Sequence, residues 1–330
     1  LVITREIGDR QGEGNALGNL GVAYFQLGDA RRAIGYYEQA LAIAREAGAA
    51  LTPGSPQWAA GRGAEGSHLG NLGIAYGNLG EARRAVAYGE QALAIAREIG
   101  DRRAEGNHLG NLGNACAALG DPRRAVGYYE QALAISREMG DRRGEERHLG
   151  NLGNACADLG DERQAIGYYE EALRLAREIG DRRGEGSHLA NLGLAYLELG
   201  EAQRAREHYE QALAVAREMG DRRAEANGLG NLGTAWAALG QVPRAIEHYE
   251  QALAISREAG DRQGEGAHLG ELGLAYSALG QPQRAVEYHE QALAVARGRV
   301  AAAREGSPEW RAGRRVESSH LGDLAAACQQ

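Results

Sequence analysis

The chain has 330 residues, of which 43% are hydrophobic and 25% charged, with a formal charge of −8. That composition is of an ordinary soluble polypeptide and argues against nucleic-acid binding, which needs a basic stripe. No apolar run approaches the ~20 residues of a membrane span, and no signal peptide is visible, so a cytoplasmic location is expected. All 37 basic residues are arginine, a usage that fits a GC-rich bacterial genome rather than a function.

One pentapeptide recurs along the chain. Leu17-Gly18-Asn19-Leu20-Gly21 returns as LGNLG from Leu69, Leu109, Leu149 and Leu229, as LANLG from Leu189, LGELG from Leu269 and LGDLA from Leu321. The steps between successive copies are 52, 40, 40, 40, 40, 40 and 52 residues. A fixed period of this size marks a solenoid in which each unit contacts its neighbours. Units are expected to start near residues 9, 61, 101, 141, 181, 221 and 261, with a partial unit from 313. The chain begins with the end of a repeat, a helical stub, and stops partway through another, as expected of a piece of a longer array.

Within one unit, Gly100 ends a helix and Asp101 caps the next. The first helix is predicted to run to about Leu119, with His108, Leu109, Leu112, Gly113, Ala115 and Cys116 on one face. Gly120 stops it, Asp121 caps the second helix, and Pro122 sits in its first turn, where a missing N–H costs nothing. Gln281-Pro282 repeats the device. The second helix carries Ala125, Val126, Tyr129, Ala132, Leu133 and Ile135 at helical spacing. The mid-helix glycines each cost about 1 kcal/mol relative to alanine. Those of the Gly113 type are expected to let the partner helix approach. Those of the Gly110 type are expected to leave the opposite surface flat.

Leu20, Gly21, Tyr24, Gly28, Ala33, Tyr37 and Ala40 together resemble the signature of the tetratricopeptide repeat, and the likeness recurs over essentially the whole chain. It implies an all-α fold, a right-handed α-solenoid (superhelix) of stacked antiparallel helix pairs with seven full units and a terminal helix. Leu17 stands where the family has Trp. Arg45 stands where it has a helix-ending Pro, so the second helix is expected to run longer. The 40-residue unit is similar to those of Pins-type adaptors and of arrays attached to bacterial signal-transduction ATPases. The resemblance implies a non-catalytic interaction scaffold that binds a peptide or helical segment of a partner in a groove. Its alternatives are a sensor arm of a larger signalling protein or a self-assembling module, since apolar helix faces at the ends favour head-to-tail association.

The resemblance places the groove on the polar side of the first helices. Asn19, Asn71, Asn111, Asn151, Asn191 and Asn231 recur there, doubled by Asn114 and Asn154, with Arg147 and Asp158 on the same stripe. Stacked amides offer donors and acceptors to an extended peptide backbone, or to one another. The stripe reads apolar at both ends (Val22, Ile74, Leu194, Leu274) and polar in the middle. Arg147 is its one basic residue, too little for the multi-cation clamp of chaperone-tail repeats.

His68, His108, His148, His188, His268 and His320 share one position. One per repeat puts them about 10 Å apart, too far for a common zinc with ligands at about 2 Å. No metal, no cofactor and no catalytic residue is therefore assigned, and the histidines are expected to pack beside the core leucine. Cys116, Cys156 and Cys328 fall in a slot held elsewhere by Tyr or Trp, and are expected to be buried thiols. Two 12-residue insertions, at about 49–60 and 301–312, contain Gly54-Ser55-Pro56-Gln57-Trp58 and Gly306-Ser307-Pro308-Glu309-Trp310. They are expected as loops, with Trp58 and Trp310 as candidate partner anchors.

Overall fold

The computed structural model describes residues 4, 9–303, 305 and 308–328. Apart from Thr4, the stub before Asp9 lies outside the described residues, as do Arg304, Gly306 and Ser307 of the second insertion. Among the described residues there are helices and no strands. Residues Leu1–Gly160 and Asp161–Gln330 form two compact units, each taken by itself.

The first unit holds α1 (Arg10–Gln26), α2 (Ala30–Ala49), α3 (Pro56–Asn78), α4 (Ala82–Ile99), α5 (Arg102–Ala118), α6 (Pro122–Met139) and α7 (Arg142–Asp158). The second holds α8 (Glu162–Ile179), α9 (Arg182–Glu198), α10 (Ala202–Met219), α11 (Arg222–Ala238), α12 (Val242–Glu258), α13 (Arg262–Ala278), α14 (Pro282–Ala302) and α15 (Pro308–Ala327). Within each unit every helix packs on the next as antiparallel pairs. First helices of successive repeats also touch, as α3 does α5 and α11 does α13.

The turns follow from two residue types. Gly100 adopts φ 72°, a left-handed conformation open to glycine, and ends α4. The Asp101 side chain then accepts the Ala104 N–H at 2.9 Å and caps α5. Gly120 (φ 80°) and Asp121 do the same between α5 and α6. In the first insertion residues 50–55 are loop and the rest is helix. Helix α2 runs to Ala49 and α3 already begins at Pro56, capped by Ser55, whose Oγ accepts the Trp58 N–H at 3.1 Å. Proline at a first helical position suits a helix start, which is why Ser-Pro here opens a helix.

Leucine and alanine fill the core: Leu109, Leu112, Ala125, Ala132 and Tyr129 are all at most 3% exposed. Cys116 and Cys156 are buried as expected, but Cys328, just past the end of α15, is exposed.

The linker between repeats carries a further element. Arg97, at the position where the family's proline would end the helix, donates from Nε to Glu105 Oε1 at 2.8 Å. Arg102 donates to the other oxygen of Glu105 at 2.7 Å and also pairs with Glu138. The same clamp recurs around Glu65, Glu145, Glu185, Glu225, Glu265 and Glu317. Burial alone would raise the Glu105 carboxyl, yet hydrogen bonds from Arg97 and Arg102 outweigh it and hold it below the ordinary value. Glu145, Glu185, Glu225 and Glu265 are lowered in the same way. A carboxylate depressed in the folded state adds stability above its unfolded pKa, and that stability is lost as pH falls through the folded value. Urea midpoints should therefore drop below pH 4.5, the unfolded reference value. Glu145→Gln should lower the midpoint at pH 7 and flatten this acid limb; an unchanged limb would contradict the clamp.

Candidate functional site

The expected stripe exists, and its exposure follows from helical geometry. On α5 the residues at three- and four-residue spacing away from the Leu109–Leu112 face are Asn107, Asn111 and Asn114. Asn107 and Asn114 are exposed and Asn111 is half-buried. In the first unit Asn71, Asn111, Asn114, Arg147 and Asn151 come together along the wall of one concavity of ≈ 420 Å³. Asn19, Asn154 and Asp158 are exposed on the same side of their own helices, whereas Asn191 and Asn231 are half-buried in the second unit.

The asparagines are not simply free amides. Asn114 Oδ1 accepts from the Tyr129 hydroxyl at 2.7 Å and from Asn151 Nδ2 at 3.3 Å, so one carbonyl ties a second helix and the next repeat together. Thr234 plays the corresponding part in the second unit, accepting from the Tyr249 hydroxyl at 3.2 Å.

His68, His108, His148, His268 and His320 are buried, and each seats on a glycine of the preceding repeat. The His148 Cε1 lies 2.7 Å from where a Cβ on Gly110 would be, and His108 and His68 stand likewise over Gly70 and Gly18. In the second unit His268 covers Gly230 and His320 covers Gly270. The Gly110-type glycine is thus the seat of the next repeat's imidazole, not a flat surface. Burial pushes His148 down to about 4, helped by the charge of Arg147 and opposed by Asp141, so it is neutral at pH 7. Where the seat carries a methyl, at Ala190, the next unit has Gly228 in place of the imidazole. A concavity of ≈ 490 Å³ opens there, lined by Ser187, Ala190, Val215, Met219, Asn227 and Asn231, with Arg182, Arg183 and Arg223 at its rim. Arg147 is therefore not alone as a basic group on these surfaces.

A second departure lies in the ring slot of the second helices. The Tyr129-type ring lies against Gly113, and Tyr37 against Gly21. Gly89 occupies that position in α4, so the ring is missing and a notch of ≈ 280 Å³ remains, lined by Gly73, Ile74, Ala85, Asn111, Asn114 and Ala118. Its signal is Tyr88-Gly89, where the other units read Tyr-Tyr, His-Tyr or, in the last, Tyr288-His289.

Trp58 and Trp310 both lie in the first turn of a helix, α3 and α15, and both are half-buried. The Arg314 guanidinium lies 5.9 Å from the Trp310 ring centroid. The slot of the cysteines holds stacked rings elsewhere, such as Tyr76 on Tyr88 at 5.3 Å with Arg84 over it. No helix among the described residues is long and apolar enough to cross a membrane.

The sequence profile of the tetratricopeptide repeat matches residues 1–46, 65–138, 145–218 and 224–298. The chain belongs to the tetratricopeptide repeat family. Its fold is similar to that of a signal transduction ATPase with numerous domains from Pyrococcus horikoshii, which carries a tetratricopeptide repeat sensor: TM-score 0.69, 19% identity, covering 84% of this chain and 41% of that one. It is also similar to BtubC from P. vanneervenii, with TM-score 0.60, 24% identity and coverage of 70% and 92%. A Rap protein complexed with Competence and Sporulation Factor matches with TM-score 0.54, 12% identity and coverage of 96% and 99%. At these identities the likeness is one of fold. No curated protein matches the chain.

The Asn114 bridge is testable by stability. Asn114→Ala should cost about 1 kcal/mol in urea unfolding, because the part-buried Tyr129 hydroxyl loses its acceptor. Asn114→Thr should recover much of that loss, as Thr234 does naturally; equal destabilisation by both would refute the bridge.

Proposed function

We propose that the first-helix stripe binds an extended segment of a partner protein, and that the Gly89 notch reads one of its side chains. The observation that carries this is the meeting of two features on one wall. Asn71, Asn111, Asn114, Arg147 and Asn151 line the concavity, and Ile74, Asn111 and Asn114 line both it and the notch. Amides satisfy an extended backbone without reading its sequence. The notch is mostly apolar and suits a compact aliphatic side chain, while the exposed Arg147 favours a neighbouring carboxylate. Family membership supports the reading, since such repeats commonly mediate protein interactions. A Rap protein of the same fold, solved with Competence and Sporulation Factor, supports the capacity of this architecture to hold a ligand. On this reading the chain binds and does not catalyse.

A regulatory version of the same activity is a sensor arm within a larger protein. The P. horikoshii ATPase with its repeat sensor supports it, and the chain spans 41% of that protein's length.

The test is a displayed library of extended peptides selected against the chain. Gly89→Tyr restores the ring that other repeats carry and fills the notch. It should weaken selected peptides about tenfold or more, by removing roughly one side-chain pocket's contribution, with native helicity kept once Leu112, whose Cδ2 lies 2.8 Å from where a Cβ on Gly89 would be, shifts as the equivalent leucines do beside the other rings. Arg147→Glu should weaken peptides that carry an acidic residue. Peptides that bind both variants as tightly as the unmodified chain would place binding elsewhere.

A further inference from the structure

In the last two helices two departures from the repeat converge on a recurring histidine. The position of Tyr129 and Tyr249 is His289 on α14, and the position of Asn151 and Asn231 is Asp323 on α15. His320, one turn before Asp323, is the last of the imidazoles that seat on glycine. The ordinary set of phenol, imidazole and amide becomes imidazole, imidazole and carboxylate.

The structure brings one donor atom of each of His289, His320 and Asp323 within 4.8 Å of one another. His289 is 1% exposed and His320 is 7% exposed. The His289 Nδ1 and both ring nitrogens of His320 have no hydrogen-bond partner. An orphan Nδ1 also marks His68, His108 and His148, so what sets this cluster apart is that both nitrogens of His320 are unpartnered beside a second imidazole and a carboxylate. The Asp323 carboxylate stands 3.9 Å from His320 Nδ1, and its side chain keeps 34% of its surface in solvent, so the group opens outward through Asp323. The His289 ring packs on Gly273 and the His320 ring on Gly270, so both imidazoles lie over the same first helix. Glu271, another acidic residue at an asparagine position, adds a further carboxyl beside Asp323.

We propose that His289, His320 and Asp323 bind a first-row divalent cation of the zinc class, which fastens α15 to α14. Two neutral imidazoles and one carboxylate form a ligand set that zinc accepts, with bonds of about 2.0–2.2 Å and a fourth position left for water. Donors in such a site stand about 3.4 Å apart, so side-chain rotations of about 1 Å close the present group around the ion. The recurring histidines cannot do this, since each holds a separate repeat. His289 changes the arithmetic because it comes from a second helix and faces the His320 of the following one.

The test uses Co²⁺ as a spectroscopic probe and Zn²⁺ as competitor on the full 330-residue chain. One Co²⁺ per chain should produce the visible absorption of a nitrogen–oxygen site, and Zn²⁺ should abolish it. Zn²⁺ should also raise the melting temperature. His289→Tyr and Asp323→Asn install the residues that other repeats carry, so both should keep native helicity by circular dichroism. Each should lower Co²⁺ affinity by about tenfold or more, as the loss of a direct ligand requires. Absence of the absorption band in the unmodified chain, or a band and a Zn²⁺ stabilisation that persist in His289→Tyr, would overturn the proposal.

Discussion

Within each compact unit an imidazole lying on a glycine joins successive repeats, except where Ala190 meets Gly228. His148 on Gly110, His108 on Gly70 and His268 on Gly230 show the same contact, with the ring so near that a Cβ at the glycine would collide. That closeness explains why helices with a core of leucine and alanine tolerate glycine in their interiors at a cost of about 1 kcal/mol each. The glycine is retained because the neighbouring ring leaves no room for a methyl. The second constraint is the Arg–Glu–Arg clamp. A carboxylate left alone at the depth of Glu145 would be costly, and two guanidiniums from consecutive helices neutralise it. Together these contacts bind first helix to first helix and second helix to next first helix, so the units stack by interactions set at a 40-residue period.

Such regularity makes the irregular positions informative. Gly89 removes a ring and opens a notch, Gly228 removes an imidazole and opens a larger concavity, and His289 with Asp323 gathers metal-type donors. None of the three adds a new element to the fold. Each changes one side chain in a slot that packing otherwise fills, which is an economical way for a repeat array to acquire a site.

Much of this was legible in sequence, for reasons particular residues make plain. Gly100-Asp101 and Gly120-Asp121 dictate helix ends through backbone conformation and capping, so the helix pairs follow directly from the letters. Leu109, Leu112 and Tyr129 declare the core by spacing. The exposed side of Asn107, Asn111 and Asn114 follows from the same helix geometry. What spacing could not disclose was contact between repeats. Gly110 and His148 are 38 residues apart and look unrelated until stacking brings them together. Arg97 reads as a departure from the family's proline, and its role appears only with Glu105 beside it. His289 is not legible as a donor along the recurring histidine slot, because it stands in the tyrosine slot of a second helix. Ser-Pro-Gln-Trp reads as loop, but Ser55 and Pro56 are equally the cap and first residue of a helix.

The central claim is that ring and seat are coupled, and Ala190 with Gly228 allows a direct measurement. Gly228→His alone should lower the urea unfolding midpoint, since the Ala190 methyl occupies the seat. Adding Ala190→Gly should recover stability, with a favourable coupling between the two substitutions of about 1 kcal/mol or more in a double-mutant cycle. If instead the two effects simply add, the imidazole does not depend on the glycine beneath it, and the account of how these repeats are joined fails.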